Sequence, residues 1–177
     1  MIELLFETHA TSRDNELQLA SGHHDAPLSE RGEQQAVVLG ARYGTRPLAA
    51  VHCSDLQRSY RTAEIAFAGR DITIMRTALL RECDYGRFTR KPNGEVEAVR
   101  TRHVMKPFPG GESYTDVVKR VGQFLKGLRT AELDGQRMVV IGHRATYYAL
   151  EHLLGRAVLA EVVAAPWHWQ PGWTYHF

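Results

Sequence analysis

Cysteine is nearly absent from this chain. Cys53 and Cys83 are the only two, they lie in different segments, and no CxxC spacing joins them. A disulfide framework and a zinc ribbon are therefore excluded, and both thiols read as ordinary reduced cysteines. No apolar run approaches the roughly 18 residues that a membrane helix requires. The opening residues MIELLFETHA carry Glu3 and Glu7 and have no basic stretch, so a signal peptide is not expected and a cytoplasmic location is the default. Charge of one sign is also scarce. With 22 Lys and Arg against 20 Asp and Glu, the formal net charge is +2, and the cations form no block, which argues against nucleic acid as a partner. His23 and His24 are adjacent but have no carboxylate or cysteine at ligand spacing, so no metal site is expected.

What remains is an ordinary globular composition, 44% hydrophobic and 24% charged over 177 residues. It fits a single domain over residues 1–177 with its own core. Residues 2–6, 49–52, 71–75 and 137–143 read as strands, the last a continuous apolar run, RMVVIGH, that stops at His143. Between them lie helical patterns. One is capped by Ser29, with Ala36, Leu39 and Tyr43 on its inner face and Gly44 at its end. A second follows a capping box at Ser54-Asp55-Leu56-Gln57. A third follows Ser113, with Val117, Val118, Val121, Phe124, Leu125 and Leu128 as its stripe, and a fourth follows His143. The aromatic tail WHWQPGWTYHF suits an edge or closing strand. Residues 86–111, with Pro92-Asn93-Gly94 and Pro107-Phe108-Pro109-Gly110-Gly111, read as a long loop or cap excursion.

Strands alternating with helices imply an α/β fold with a largely parallel sheet covered on both faces. Open sheets of this kind hold ligands at the carboxyl ends of their strands. Three such ends carry His9, the segment Ser54 to Arg58, and His143. Phosphoryl chemistry needs donors on the nonbridging oxygens, an in-line nucleophile and an acid for the leaving oxygen. His9 is the candidate nucleophile, Arg58 at a helix start a two-oxygen phosphate ligand, His143 a second pocket histidine, and Glu82 a proton donor. Ser12 and Asn15 add neutral donors near His9. Plainer readings stand beside these: Arg58 pairing with Asp55 or Glu64 at the surface, and Trp167, Trp169 and Trp173 closing the core. Likewise Arg90, Lys91, Arg100, Arg102 and Lys106 read as a solvated face.

The chain resembles the histidine phosphatase superfamily, also called phosphoglycerate-mutase-like. The similarity rests on Thr8-His9-Ala10 with Asn15 beyond it, GHHDAPLSERGEQQA from Gly22, SDLQRSYRTAEIA from Ser54, LRECDYGRF from Leu80, PGGES from Pro109 and VVIGHRA from Val139. Each piece is short, but their order and spacing together are specific. The resemblance implies a three-layer α/β/α sandwich with a mostly parallel central sheet and a reaction that needs no metal or other cofactor. It makes His9 the phosphorylated histidine, Arg58 a phosphate ligand, Glu82 the general acid and His143 the second pocket histidine. A small phosphorylated substrate, or phosphate itself, is the implied partner, and a monomer and a homodimer are both compatible with it.

One departure stands out. The family's first motif is Arg-His-Gly, and this chain has Thr8-His9-Ala10. Loss of a charge-assisted bond to phosphate costs about 1.5 to 3 kcal/mol, or roughly one to three orders of magnitude in rate. Arg144, directly after His143, and Arg61, one turn beyond Arg58, are the candidates to fill the vacated space. The leading expectation is a phosphomonoester hydrolase working through a phosphohistidine at His9. The alternatives are a phosphate-binding or regulatory protein with weak turnover, and a repurposed enzyme or phosphomutase.

Overall fold

A computed structural model of the chain describes residues 1–131 and 135–177. Five strands, β1 (Glu3–Thr8), β2 (Ala50–Ser54), β3 (Ile74–Thr77), β4 (Arg137–Gly142) and β5 (Trp173–His176), form one sheet in the order β3-β2-β4-β1-β5. The first four are parallel, and β5 runs antiparallel to β1 at the edge. β4 lies between β1 and β2, which explains its unbroken apolar text. Successive side chains alternate between faces, so Met138 and Val140 enter one core while Val139 and Ile141 enter the other.

Helices α2 (Glu30–Tyr43) and α3 (Gln57–Ala66) pack on the face that holds Val51, Cys53, Val139 and Ile141. Helices α5 (Tyr114–Thr130) and α6 (Arg144–Leu153) pack on the other, over Leu4, Phe6, Met138 and Val140. The result is the three-layer sandwich. Ser29 and Ser113 cap α2 and α5 by accepting from Gly32 N–H and Asp116 N–H, each at 3.2 Å. Ala36, Leu39 and Tyr43 are the buried stripe of α2. Two glycines let α2 lie close to its neighbours: a Cβ at Gly32 would stand 2.0 Å from the Thr11 carbonyl oxygen, and one at Gly40 2.0 Å from that of Ala66.

Three elements differ from the sequence reading. β3 starts at Ile74 rather than at residue 71, because pairing with β2 sets its register from Val51↔Ile74 to Ser54↔Thr77. The capping box at Ser54 does not form. Ser54 is the last, fully buried residue of β2, and α3 has Leu56 as an N-cap with no side-chain bond. The segment 86–111 is not a bare loop: it holds a 3-10 turn at Gly86–Phe88, helix α4 (Asn93–Val99) and a 3-10 turn at Arg100–His103. These pieces are too short to show a helical period. They are ordered by packing, with Val96 and Phe108 buried and His103 stacked on Phe108 at 3.9 Å. Arg100 is not part of a solvated face. It is buried, donating to Tyr148 Oη at 3.1 Å and to the carbonyls of Ala164 and Ala165 at the end of α7 (Leu159–Ala164).

Candidate active site

The register of the sheet brings the strand ends together. Thr8 stands opposite Gly142 and Cys53 opposite Ile141, so His9, His143 and Ser54 emerge side by side from three adjacent strands. The His9 N–H donates to the Gly142 carbonyl at 2.9 Å, and the two imidazole rings lie 4.9 Å apart between centroids. His9, Arg58, Glu82 and His143 all line one cavity of about 1000 Å³.

The histidines are held in definite states. His9 Nδ1 lies 2.7 Å from the Ala10 carbonyl oxygen, so Nδ1 carries the proton and Nε2 keeps its lone pair. Burial, reinforced by the Arg58 guanidinium, lowers the His9 pKa to about 3, and the ring is neutral near pH 7. His143 is likewise held well below the usual histidine range by burial and by Arg58. Its Nε2 lies 2.6 Å from Ser54 Oγ, while its buried Nδ1 has no partner among the described residues. The Ser54 oxygen already receives the Leu56 N–H at 3.4 Å. We assign the Ser54 hydroxyl as donor to His143 Nε2, one of the two tautomers this contact allows, and in it Nδ1–H is a free donor.

Arg58 is 1% exposed. Two of its N–H groups donate to the carbonyls of His24 and Gly22, each at 2.8 Å, so it is neither paired with Asp55 nor with Glu64. Those carboxylates bind Arg81, and Arg61 with Arg76. On the same helix, Thr62 accepts the Ala10 N–H at 3.0 Å and pins the loop after His9. Glu82 is buried, with Oε1 accepting from Cys83 N–H at 2.7 Å and from Ala145 N–H at 3.2 Å. Arg120 grips the segment around it by donating to the carbonyls of Leu79, Arg81 and Glu82.

Other expected residues are placed less centrally. Ser12 is fully buried and does not line the cavity. It caps the single-turn helix α1 (Arg13–Glu16) in a reciprocal arrangement with Asn15, whose N–H it accepts at 3.2 Å and whose Oδ1 it binds at 2.9 Å. Asn15 does line the cavity, with its oxygen already engaged. Arg61 does not: it is drawn outward to Glu64 at 2.6 Å, because its position on α3 faces solvent. Arg144 lines the cavity but is bonded to Glu97 and lies over the rings of Tyr148 and Trp167. Thr8 lines it too, accepting from the Trp169 indole N–H at 3.2 Å. Arg90, Lys91, Arg100, Arg102 and Lys106 are not among the lining residues. His23 and His24 bind different partners, the Glu82 carbonyl and the Asp14 carboxylate, each at 2.9 Å.

Sequence reasoning missed Ser54, Thr62, Arg120 and Arg31. The first was taken for a helix cap, and nothing local marks the others. Arg31, in the first turn of α2, lines the cavity and has no hydrogen-bond or ion-pair partner among the described residues. The three other arginines of the lining are engaged: Arg42 with Glu7 at 3.0 Å, Arg58 with carbonyls and Arg144 with Glu97.

Comparison with known proteins agrees with this architecture. The chain is 35% identical over 164 residues to phosphoserine phosphatase 1 of Hydrogenobacter thermophilus, covering 85% of this chain and 76% of that protein. It is 28% identical over 170 residues to the adenosylcobalamin/alpha-ribazole phosphatase of Salmonella typhimurium, covering 92% and 82%. The structure of a mycobacterial glucosyl-3-phosphoglycerate phosphatase superposes with a TM-score of 0.82 at 25% identity, over 93% of this chain and 87% of that one. The pattern of the histidine phosphatase superfamily (branch 1) matches residues 4–166, and the chain belongs to that family.

Proposed function

We propose that this protein hydrolyses a small phosphomonoester through a phosphohistidine at His9. The observation that carries the reading is the state of that ring: neutral, with Nδ1 bound to the Ala10 carbonyl and the Nε2 lone pair free in the cavity. Nε2 attacks phosphorus in line, the phosphorus–oxygen ester bond breaks, and Glu82 gives its proton to the departing alkoxide. Water then attacks the phosphohistidine. The Glu82 carboxylate takes the water proton, and phosphate leaves. Arg58 and His143 Nδ1–H face the nonbridging oxygens, where charge builds up. Two relatives named as phosphatases support hydrolysis, while others at 30–31% identity are named probable phosphoglycerate mutases. Incubation with a panel of phosphomonoesters followed by alkaline trapping should give a labelled phosphoenzyme. His9→Ala should remove both label and turnover, and turnover that survives it overturns the covalent route.

A second reading is favoured by one observation. Thr8 brings no charge to the phosphoryl site, and Arg144 is held by Glu97. A phosphate-binding protein with little turnover fits these contacts. It predicts that phosphate raises the melting temperature while no ester on the panel reacts.

A further inference from the structure

Thr8 does more than leave a cation out. Its hydroxyl accepts the indole N–H of Trp169 at 3.2 Å, and so fixes the C-terminal aromatic segment beside the nucleophile. In that extended segment Trp167, Trp169 and Pro171 line the cavity, while His168 and Gln170 between them do not, the alternation expected of extended backbone. Trp167 and Trp173 pack against Tyr147 at 5.3 and 5.0 Å between centroids, and Trp173 with Tyr147 packs against the core. Trp169 does not: it is 63% exposed. Val38 of α2, 62% exposed, lines the same cavity. Both are apolar side chains left open to water, and both line the cavity that holds His9.

The polar edge of the Trp169 indole is already spent on Thr8, so the ring has only its faces to offer an occupant. Thr8 immediately precedes His9. An ester whose phosphoryl group sits at His9 can therefore lay its leaving group against that ring. The free Arg31 guanidinium and the neutral amide of Gln34 also line the cavity, and a guanidinium stacks readily on a flat ring. We propose that Trp169, docked on Thr8, is a specificity-determining wall that selects phosphomonoesters with an aromatic ring in the leaving group. This rests on the phosphatase reading for its kinetics, but not for binding.

Two measurements separate the two. First, phenylphosphonate and methylphosphonate, which cannot be hydrolysed, are titrated calorimetrically against the intact chain. The wall predicts binding of the phenyl compound at least about fivefold tighter, consistent with a favourable ring pair, and Trp169→Ala should remove most of that preference while Trp169→Phe retains it. Thr8→Val, which deletes the acceptor, should reduce it in part. Secondly, where turnover is found, the ratio of kcat/KM for naphthyl phosphate to that for glycerol phosphate should fall at least about fivefold in Trp169→Ala relative to the parent. Comparing ratios cancels the greater intrinsic reactivity of aryl esters. Met105→Ala, at an exposed site away from the cavity, should leave both readouts unchanged. Equal binding of the two phosphonates, or a preference that Trp169→Ala leaves intact, overturns the proposal. A preference for the phenyl compound that Trp169→Ala removes, with no turnover of any ester, upholds the wall as a binding determinant and overturns the phosphatase reading instead.

Discussion

At the scale of single residues, the site depends on which nitrogen of each histidine carries the proton. The Ala10 carbonyl settles this for His9, and for His143 it turns on whether the Ser54 hydroxyl donates to Nε2, as assigned above, or accepts from it. Ser54→Ala leaves His143 Nε2 buried without its donor and frees the ring to change tautomer, which withdraws Nδ1–H from the phosphoryl oxygens. A neutral hydrogen bond of this kind contributes about 1 kcal/mol. We expect kcat to fall roughly fivefold with a melting temperature lowered by only a few degrees; an unchanged kcat with normal folding would show that Ser54 does not orient His143.

At the scale of elements, α2 is placed by contact and not only by its apolar stripe. Gly40 sits against the Ala66 carbonyl at the end of α3, and Gly32 against the Thr11 carbonyl two residues beyond His9. Backbone cannot yield as a flexible side chain does, so Gly40→Ala should cost about 1 to 3 kcal/mol, read as a lower urea midpoint. Gly32→Ala should cost a similar amount and also push the loop after His9 away from Thr62, lowering kcat where Gly40→Ala does not. Loss of activity in Gly40→Ala alone would reverse this assignment. Arg120 works at the same scale, since its guanidinium ties three carbonyls of the Glu82 segment to α5.

Across the whole molecule, burial of neutral histidines links stability to pH. His9 and His52 have pKa values lowered to about 3 and about 4 by burial, and His143 lies well below its ordinary value. Below a pKa of about 6.5 the unfolded chain binds protons that the folded chain refuses, so stability is present near neutrality and is lost as pH falls through that window toward 4. Each pH unit of one fully expressed shift corresponds to about 1.4 kcal/mol. Glu7 works in the opposite sense, because burial raises its pKa and the folded chain takes up that proton first. Three histidines outweigh one carboxyl, so the melting temperature should drop steadily between pH 6.5 and 4.5, and His52→Phe should flatten the drop. A melting temperature constant over that range would contradict the buried neutral state.

The order of strands and helices, the cap at Ser29, the helix start after Ser113, the stripe of α2 and the positions of His9, Arg58 and His143 at strand or helix ends were legible in the sequence. All of these follow from local periodicity and from residues whose backbone preferences act within one turn. β3 was misplaced by three residues because its register is set by β2, a partner about twenty residues away, and α4 was hidden because a helix of two turns has no measurable period. The local signal also misled at Ser54, where a plausible capping box lost to a histidine at position 143. The sequence by itself determined that a neutral Thr8 precedes His9, and which arginines were candidates for the space beside it. Only the tertiary structure decided the competition. Arg61 went to Glu64, Arg144 went to Glu97, and the Thr8 hydroxyl went to an indole 161 residues away, because a side chain bonds the partner that folding brings within reach, whatever its distance along the chain.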